Sequence, residues 1–466
     1  MEYIDKQHEE QKKWKLLPKL KTLKTFDALL ENEFIDPKVR SSNLDQRLTT
    51  LLNYCVETVP YYKSVIESES LDIGAINTLK QFDSFPILYR ANLKDNNEQL
   101  ITTKLPTNQQ FGGRTKTSGS TGQPVEVLHT QQSLSFFAML KQREYRSWGF
   151  DPSKVLASIR PPSDLPRHHG QRLKVKTTLH QKGWEYVSNY FQTGDMLMLN
   201  DTSGTDYMVD WLNQHSPSYL LTMSATLEQI ALGYACSKTA STLSNVLAIS
   251  QQLTDGMRRL IVKNTCPTIE QNYGLNEIGL VAMRCPVSGY YHVHNENCLI
   301  EIVDKDGKSC EPGTAGKLLV TSLNNLAMPL LRYDTDDWAE IPIESCPCGR
   351  SSQSFTNLYG RYRRTAHLPG STWDYWESLL WVFEDAKPEE LEAINQYQLH
   401  QLNENEFHLK LNVKHSITMS LREKINSEWS KVNETSTAKL TIFEMDKIEQ
   451  TGKKFQDFIS DITPEE

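Results

Sequence analysis

Three separated segments of the 466-residue chain carry residue types that can do chemistry. The first consists of Thr117, Ser118, Gly119, Ser120, Thr121 and Gly122. Glycines leave backbone N–H groups accessible and hydroxyls add donors, so this segment suits a loop that binds an anion such as phosphate. It lacks the Gly-Lys-Ser/Thr ending of a Walker loop. A flexible linker has a similar composition, so the segment alone does not decide between the two.

The second segment is Tyr273-Gly274-Leu275-Asn276-Glu277, which follows a predicted strand at residues 268–271. An aromatic ring beside a glycine can stack on a base while the backbone passes close to it. The Glu277 carboxylate can hold Mg²⁺, because magnesium prefers one or two carboxylates together with substrate oxygens. On its own, the segment is more typical of a strand-ending turn with a surface acid.

The third segment, residues 331–338, reads Leu-Arg-Tyr-Asp-Thr-Asp-Asp-Trp. A carboxylate at the end of a strand is a standard partner for the paired hydroxyls of a ribose. An acidic surface turn is the alternative. We interpret the three segments jointly, because each becomes more specific when the other two are present.

A cluster of metal-ligand residue types lies between and after these segments. Cys285 is followed by His292, and a Cys-Pro-Cys-Gly turn supplies Cys346 and Cys348. Zinc accepts such a Cys₃His set, and a closed set of four ligands is structural rather than catalytic. His294 competes with His292, because both follow the same turn. Three free cysteines and an unrelated histidine are the alternative.

In this order, the three segments resemble the acyl-adenylate-forming superfamily, and most closely its phenylacetate–coenzyme A ligase branch. Residues 117–122, followed two residues later by Pro124, resemble its TSGSTG-x-P motif. Residues 273–277 resemble its YG-x-x-E motif, and residues 332–337 its RY-x-x-GD motif. Gly360-Arg361 is similar to its GR at the domain hinge. The resemblance extends over nearly the whole chain.

The resemblance implies a role for each matched residue. Ser118, Ser120 and Thr121 would cradle the phosphates of ATP within the loop 117–122. Tyr273 and Gly274 would contact the adenine, Glu277 would bind Mg²⁺, and Asp337 and Arg361 would contact the ribose. Arg363 falls at the implied hinge. Lys453 matches the lysine that catalyses adenylation in the family, and Lys454 is its neighbour and competitor.

The chain departs from the family pattern at several positions. Asp336 replaces the usual glycine of the ribose motif, and a left-handed backbone there would be strained but tolerable for aspartate. Gln251-Gln252 replaces the usual Gly-Glu, and the segment after Arg361 matches poorly. These differences leave adenylation as the expectation and put the second half-reaction in doubt.

The acyl pocket has no clear signature. We assign part of it to Met223, Ser224, Ala225 and Gly279. Ordinary sheet packing is the alternative and explains these residues slightly better.

The elements that must position these residues follow an α/β and α+β multidomain pattern. Helical periodicity prevails in residues 1–105, and strands then alternate with helices, which implies a parallel or mixed sheet covered by helices. Residues 285–350 are rich in strands and include the zinc ligands. We expect an N-terminal ATP- and acyl-binding domain at residues 1–360. Residues 361–466 would form a small, mobile C-terminal α+β lid.

Composition excludes some partners. The net charge of −8 argues against a nucleic-acid binder, which needs a basic face. We find neither a signal peptide nor an apolar run of the roughly 18 residues that span a bilayer, so we expect a cytoplasmic protein with no membrane partner.

The leading hypothesis is an ATP-dependent ligase that joins a carboxylic acid, by resemblance an aryl or arylacetic acid, to CoA through an acyl-AMP. A second hypothesis keeps the adenylation step and transfers the acyl group to a carrier-protein thiol or an amine. A third is a catalytically silent scaffold. Retention of Glu277, Asp337 and Lys453 argues against the third.

Overall fold

The structure is a computed structural model that describes residues 13–18, 24–116, 125–237, 239–250, 253, 255–361, 393–432, 438–448 and 458–462. They belong to two compact units. The first comprises Met1–Ser153, Gly183–Thr193 and Gln271–Gly360, and the second comprises Lys154–Lys182, Gly194–Glu270 and Arg361–Glu466. The expected division into residues 1–360 and a lid at 361–466 stays a prediction.

The α-helices of the described residues are α1 (Lys24–Glu31), α2 (Pro37–Thr58), α3 (Pro60–Glu69), α4 (Arg90–Asp95), α5 (Gln131–Ser147), α6 (Thr205–His215), α7 (Ser224–Ser237), α8 (Asp255–Asn264) and α9 (Met419–Val432). Short 3₁₀ helices occupy Asn32–Phe34, Ile73–Ala75, Gln81–Ser84, Glu98–Leu100, Val187–Asn189 and Asp201–Ser203. No helix of the described residues is long and apolar enough to cross a membrane.

Helix α2 shows how the sequence starts and buries a helix. Asp36 is its N-cap, and the side chain accepts hydrogen bonds from the backbone N–H groups of Lys38 (2.8 Å) and Val39 (3.3 Å). Pro37 occupies the first turn, where no intrahelical N–H is needed. The leucines at positions 44, 48, 51 and 52 recur at helical spacing and are all buried.

The strands begin with β1 (Phe111–Lys116), β2 (Glu126–Thr130), β3 (Leu156–Arg160), β4 (Leu179–Gln181), β5 (Met196–Asn200), β6 (Tyr219–Met223), β7 (Asn245–Ile249), β8 (Thr268–Leu275) and β9 (Gly279–Arg284). They continue with β10 (Tyr291–Val293), β11 (Cys298–Val303), β12 (Ala315–Ser322), β13 (Tyr333–Glu340), β14 (Ser354–Arg361), β15 (Ile394–Asn403), β16 (Glu406–Val413), β17 (Lys439–Met445) and β18 (Phe458–Ser460).

In the first unit the strand order is β11-β12-β13-β14-β10-β9-β8, and β1 and β2 form a separate antiparallel pair. The sequence predicts that residues 297–309 form a strand ending in an Asp306–Gly307 turn and that residues 316–323 are its partner. This pairing is confirmed, because β11 and β12 are antiparallel neighbours. Side chains of β8, β10 and β14 reach the core that they share with α2. This antiparallel sheet carries the residues of the candidate site.

In the second unit the order is β7-β6-β3-β5-β4, with parallel pairs β6–β7, β3–β6 and β3–β5. Strands β3 and β6 are buried almost throughout, as expected for a parallel sheet covered on both faces. A second sheet, β17-β16-β15-β18, packs on α9 through Leu421, Ile425 and Trp429. The parallel or mixed sheet and the C-terminal α+β arrangement predicted from the sequence are therefore both present.

Asp201 lies just after β5. Carboxylates that are largely buried usually have a hydrogen-bonding or charged partner for each oxygen, and Asp201 departs from this rule. Its Oδ1 atom has no hydrogen-bond partner among the described residues. Burial, together with the neighbouring Asp164 carboxylate, raises the pKa of Asp201 from 3.8 to about 6. Ionised Asp201 therefore opposes folding at neutral pH.

We predict that Asp201→Asn stabilises the protein at pH 7.5 by about 1 kcal/mol, a figure reduced because the side chain is partly exposed. The raised pKa means that the folded state favours the protonated acid, and this advantage is lost as the pH rises through 6. The gain should therefore disappear below pH 4, where both states are protonated. Urea unfolding at both pH values checks it, with the exposed Asp210→Asn as control. Equal effects of the two variants would contradict the prediction.

Candidate active site and metal cluster

Tyr273 and Asp337 meet in the first unit although they are far apart in the sequence. The Tyr273 hydroxyl donates a hydrogen bond of 2.6 Å to the Asp337 carboxylate. Burial raises the pKa of Tyr273 well above its usual value, and the Asp337 carboxylate raises it further. The tyrosine therefore remains a donor, and the second and third of the three predicted segments meet at this hydrogen bond.

Glu277, the predicted magnesium ligand, is buried in the same region. Its Oε1 atom accepts hydrogen bonds from Arg90 Nη1 and from the Tyr333 hydroxyl, both at 3.1 Å. The Arg90 contact is also an ion pair. Burial raises the pKa of Tyr333, so this hydroxyl is protonated as well. One carboxylate oxygen of Glu277 is thus held in place by two donors.

The strand that leads into the glycine- and hydroxyl-rich loop reaches the same motif. Strand β1 ends at Lys116, and the Thr115 hydroxyl donates a hydrogen bond of 2.8 Å to the carbonyl of Asn276. The loop at residues 117–122 lies outside the described residues. Thr115, two residues before the loop, is therefore hydrogen-bonded to the residue that precedes Glu277.

Two details of the sequence interpretation are wrong. Tyr273 and Gly274 do not follow a strand but belong to β8, and Asp337 lies within β13 rather than at a strand end. Antiparallel pairing of β8 with β9 extends the strand through the motif. The expectation for Asp336 is confirmed, because this residue has a φ of 61° and replaces glycine in a left-handed conformation.

Sequence reasoning missed Arg90 and the contact of Tyr333. Tyr333 belongs to the third segment, so a search of that segment for donors would have found it. Arg90 begins the short helix α4, and no local pattern links it to a residue 187 positions away.

Other predicted residues have no described contact with this site. Arg363, Lys453 and Lys454 lie outside the described residues, and Arg361 ends β14 without a described side chain. Met223 ends β6, and Ser224 and Ala225 begin α7 in the second unit.

Gly279 belongs to the first unit and begins β9 with a φ of 88°. A Cβ atom there would lie 3.7 Å from the Phe137 ring. The assignment of these four residues to an acyl pocket stays a prediction.

The three cysteines and one histidine of the predicted metal site lie together. Cys285, His292, Cys346 and Cys348 are all buried, and their ligand atoms lie within 4.8 Å of one another. The Sγ atom of Cys346 is 3.7 Å from that of Cys285 and 3.3 Å from that of Cys348. Tetrahedral zinc with Zn–S bonds of about 2.3 Å places sulfurs about 3.8 Å apart, so the set fits this ion.

The histidine of the cluster is His292. Its Nε2 atom lies 3.3 Å from the Cys348 sulfur. The ring of His294 is engaged elsewhere, since Nδ1 contacts Arg143 at 2.5 Å and Nε2 contacts Glu144 at 3.1 Å. Hydrogen bonds from Cys346 and Cys348 lower the pKa of Cys285, which favours the thiolate that zinc binds.

Comparison with known proteins identifies the relatives of this chain. No family model matches it. A phenylacetate-coenzyme A ligase of Thermus thermophilus is 26% identical over 332 residues, 68% of this chain and 69% of the relative. A phenylacetate-coenzyme A ligase of Escherichia coli is 26% identical over 326 residues, 66% of this chain and 70% of the relative.

Solved structures share the fold. A 2-hydroxyisobutyryl-CoA ligase in its postadenylation state superimposes with a TM-score of 0.72 over 93% of this chain and 92% of that chain, at 14% identity. An anthranilate CoA ligase with anthranoyl-AMP superimposes with a TM-score of 0.54 over 74% of this chain and 65% of that chain, at 13% identity.

The chain is similar in sequence to phenylacetate-coenzyme A ligases, which confirms the resemblance to the phenylacetate–CoA ligase-like branch of the acyl-adenylate-forming superfamily. The fold shared with the two solved ligases confirms the α/β and α+β multidomain class. The roles of individual residues stay predictions.

We predict that Arg90→Gln destabilises the protein by about 1–2 kcal/mol, because Glu277 would keep a buried charge without its cation. Lys94→Gln on the same helix is the matched control, since Lys94 is exposed. Denaturant unfolding of both variants measures the difference. Indistinguishable midpoints would show that the Arg90–Glu277 pair adds nothing to stability.

Proposed function

We propose that the chain activates a carboxylic acid with ATP and then transfers the acyl group to the thiol of CoA. The four curated relatives that match it are all phenylacetate-coenzyme A ligases, which confirms the predicted class of an AMP-forming acid–CoA ligase. By that similarity the acid is an aryl or arylacetic acid. We also propose a cytoplasmic location, where ATP and CoA are both present.

One observation supports the site assignment: Tyr273 donates to Asp337, and besides burial the nearby carboxylates of Asp337 and Glu277 both raise the pKa of Tyr273. Tyr273 would contact the adenine, Asp337 the ribose, and the loop at 117–122 the phosphates. Mg²⁺ held by Glu277 would offset phosphate charge as the acid approaches. The buried Glu277 carboxylate, which pairs with Arg90 at 3.1 Å, supports a cation-binding role at this position.

Two displacements balance the reaction. A carboxylate oxygen attacks the α-phosphorus of ATP, the bond to the β-phosphate oxygen breaks, and pyrophosphate leaves. The CoA sulfur, after losing its proton, then attacks the acyl carbon, and AMP leaves with the bridging oxygen. Lys453 would stabilise the negative charge that develops in the first displacement, because its ammonium is a compact charge on a flexible stem.

The acceptor distinguishes the leading function from its alternative. Transfer to a carrier-protein thiol or to an amine would use the same adenylation residues. The names of the relatives favour CoA. A direct comparison of CoA with a carrier protein as acceptor decides between them.

Adenylation and transfer are tested with an ¹⁸O-labelled acid, ATP, Mg²⁺ and CoA, across a panel of aromatic and aliphatic acids. We expect pyrophosphate release and the transfer of one labelled oxygen to AMP. Lys453→Ala should lower this rate by about 100-fold or more, whereas Lys454→Ala should retain it. Formation of ADP, or unlabelled AMP, would contradict an acyl-adenylate route. A loss confined to Lys454→Ala would reassign the catalytic lysine.

We also propose that the Cys/His cluster holds a structural zinc ion. The purified protein should contain about one zinc per chain, and Cys346→Ser should lose the metal and unfold at lower denaturant concentration. Cys236→Ser is the control, because Cys236 is an exposed thiol outside the cluster. Metal content by mass spectrometry and unfolding curves give both readouts. Full zinc retention in Cys346→Ser would exclude the assignment.

A further inference from the structure

A fully buried carboxylate, that of Glu144, contacts β8, the strand that carries Tyr273. Glu144, on helix α5, accepts hydrogen bonds from Lys141 (3.1 Å), from the Asn272 side chain (2.9 Å) and from His294 (3.1 Å). Burial alone would raise its pKa, but the Lys141 ammonium and the hydrogen bonds from His294 and Asn272 lower it. Glu144 is therefore ionised, and a buried charge of this kind is costly unless all its partners stay in place.

Its partner Asn272 immediately precedes Tyr273 on β8. Side chains of consecutive strand residues point to opposite faces, so Asn272 turns towards Glu144 while Tyr273 turns towards Asp337. The hydrogen bond to Glu144 thus fixes the backbone one residue before the predicted adenine contact. A displaced Asn272 would carry Tyr273 with it.

The pairing of β8, β9 and β10 relates Asn272 to the Cys/His cluster. Asn272 is paired with Met283 across β8 and β9, and Met283 is paired with His292 across β9 and β10. Directly paired residues share a face of the sheet. The predicted zinc ligand His292 is therefore two strands away from Asn272, on the face that Glu144 covers.

A β-bulge in β9 lies between the Tyr273 segment of β8 and His294. The β8–β9 register shifts beyond Tyr273, where Gly274 pairs with Leu280 and leaves Val281 as the extra residue. The backbone N–H of His294 donates to the Val281 carbonyl at 2.8 Å. Bulges re-aim nearby side chains, and here the bulge lies beside the turn that presents Glu277.

We propose that Glu144 is a positioning residue for the nucleotide site and couples that site to the Cys/His cluster. It holds Asn272 on one side and His294 on the other, so helix α5, strand β8 and the segment after His292 keep one arrangement. The effect on nucleotide binding rests on the proposed function. The effect on the backbone of β8 does not.

The backbone effect is measured by amide hydrogen exchange of residues 272–275 and 280–284 without nucleotide. We expect Glu144→Gln to speed exchange in both segments by about 10-fold, because the amide replaces the charged acceptor. The exposed Ser135→Ala on the same helix should leave both segments unchanged. Unchanged exchange in Glu144→Gln would overturn the proposal. If that variant fails to fold, Asn272→Ala removes the same hydrogen bond from the other side.

The effect on function is measured as the dissociation constant of Mg·ATP by calorimetry. We expect about 10-fold weaker binding in Glu144→Gln with unchanged zinc content. In Glu144→Gln/Asn272→Asp the amide and the carboxylate exchange places, so binding should recover to within about 3-fold of the wild type. Faster exchange with unaltered ATP binding, or no recovery in the double variant, would overturn the positioning role.

Coupling to the cluster is tested by combining Cys346→Ser with Glu144→Gln. If both changes act through one connected unit, exchange in residues 272–275 should be no faster in the double variant than in the stronger single variant. Multiplied effects would show that the two sites are independent. A chain that binds no ATP but shows these exchange changes would refute the proposed function and retain the coupling.

Discussion

The proposed site depends on how the first unit accommodates two carboxylates, that of the buried Glu277 and that of the half-buried Asp337. Glu277 receives hydrogen bonds from Arg90 and Tyr333, and Asp337 receives one from Tyr273. These donors fix the orientation of each acid. In the proposed function Glu277 would hold a magnesium ion, and Asp337 would accept hydrogen bonds from the ribose hydroxyls.

One run of antiparallel strands carries both the proposed nucleotide site and the cysteine cluster. Strand β8 supplies Tyr273, β10 supplies His292, and β9 lies between them. On one face of β8 Tyr273 contacts the Asp337 carboxylate, and on the other face Asn272 contacts the Glu144 carboxylate. A zinc ion in the cluster would stabilise the β9–β10 hairpin, which lies next to the strand of the proposed nucleotide residues.

Local chemistry explains what the sequence could predict. The strand pairing of β11 with β12 follows from nearby residues, and the left-handed Asp336 follows from the resembled motif, which has glycine at this position. The Cys/His set follows from residue types that share one ligand preference. The contacts that hold the site were not predictable. Asn272 and Glu144 are 128 positions apart and His294 and Glu144 are 150 apart, so only the folded sheet brings them together.

The most direct measurement of the central claim is a crystal structure of the protein with AMP and Mg²⁺. We expect the adenine ring to lie against Tyr273 and the ribose hydroxyls to lie within hydrogen-bond distance of Asp337. The phosphate should lie against the loop at residues 117–122, on the side of Glu277. A nucleotide bound away from Tyr273, Glu277 and Asp337 would contradict the claim.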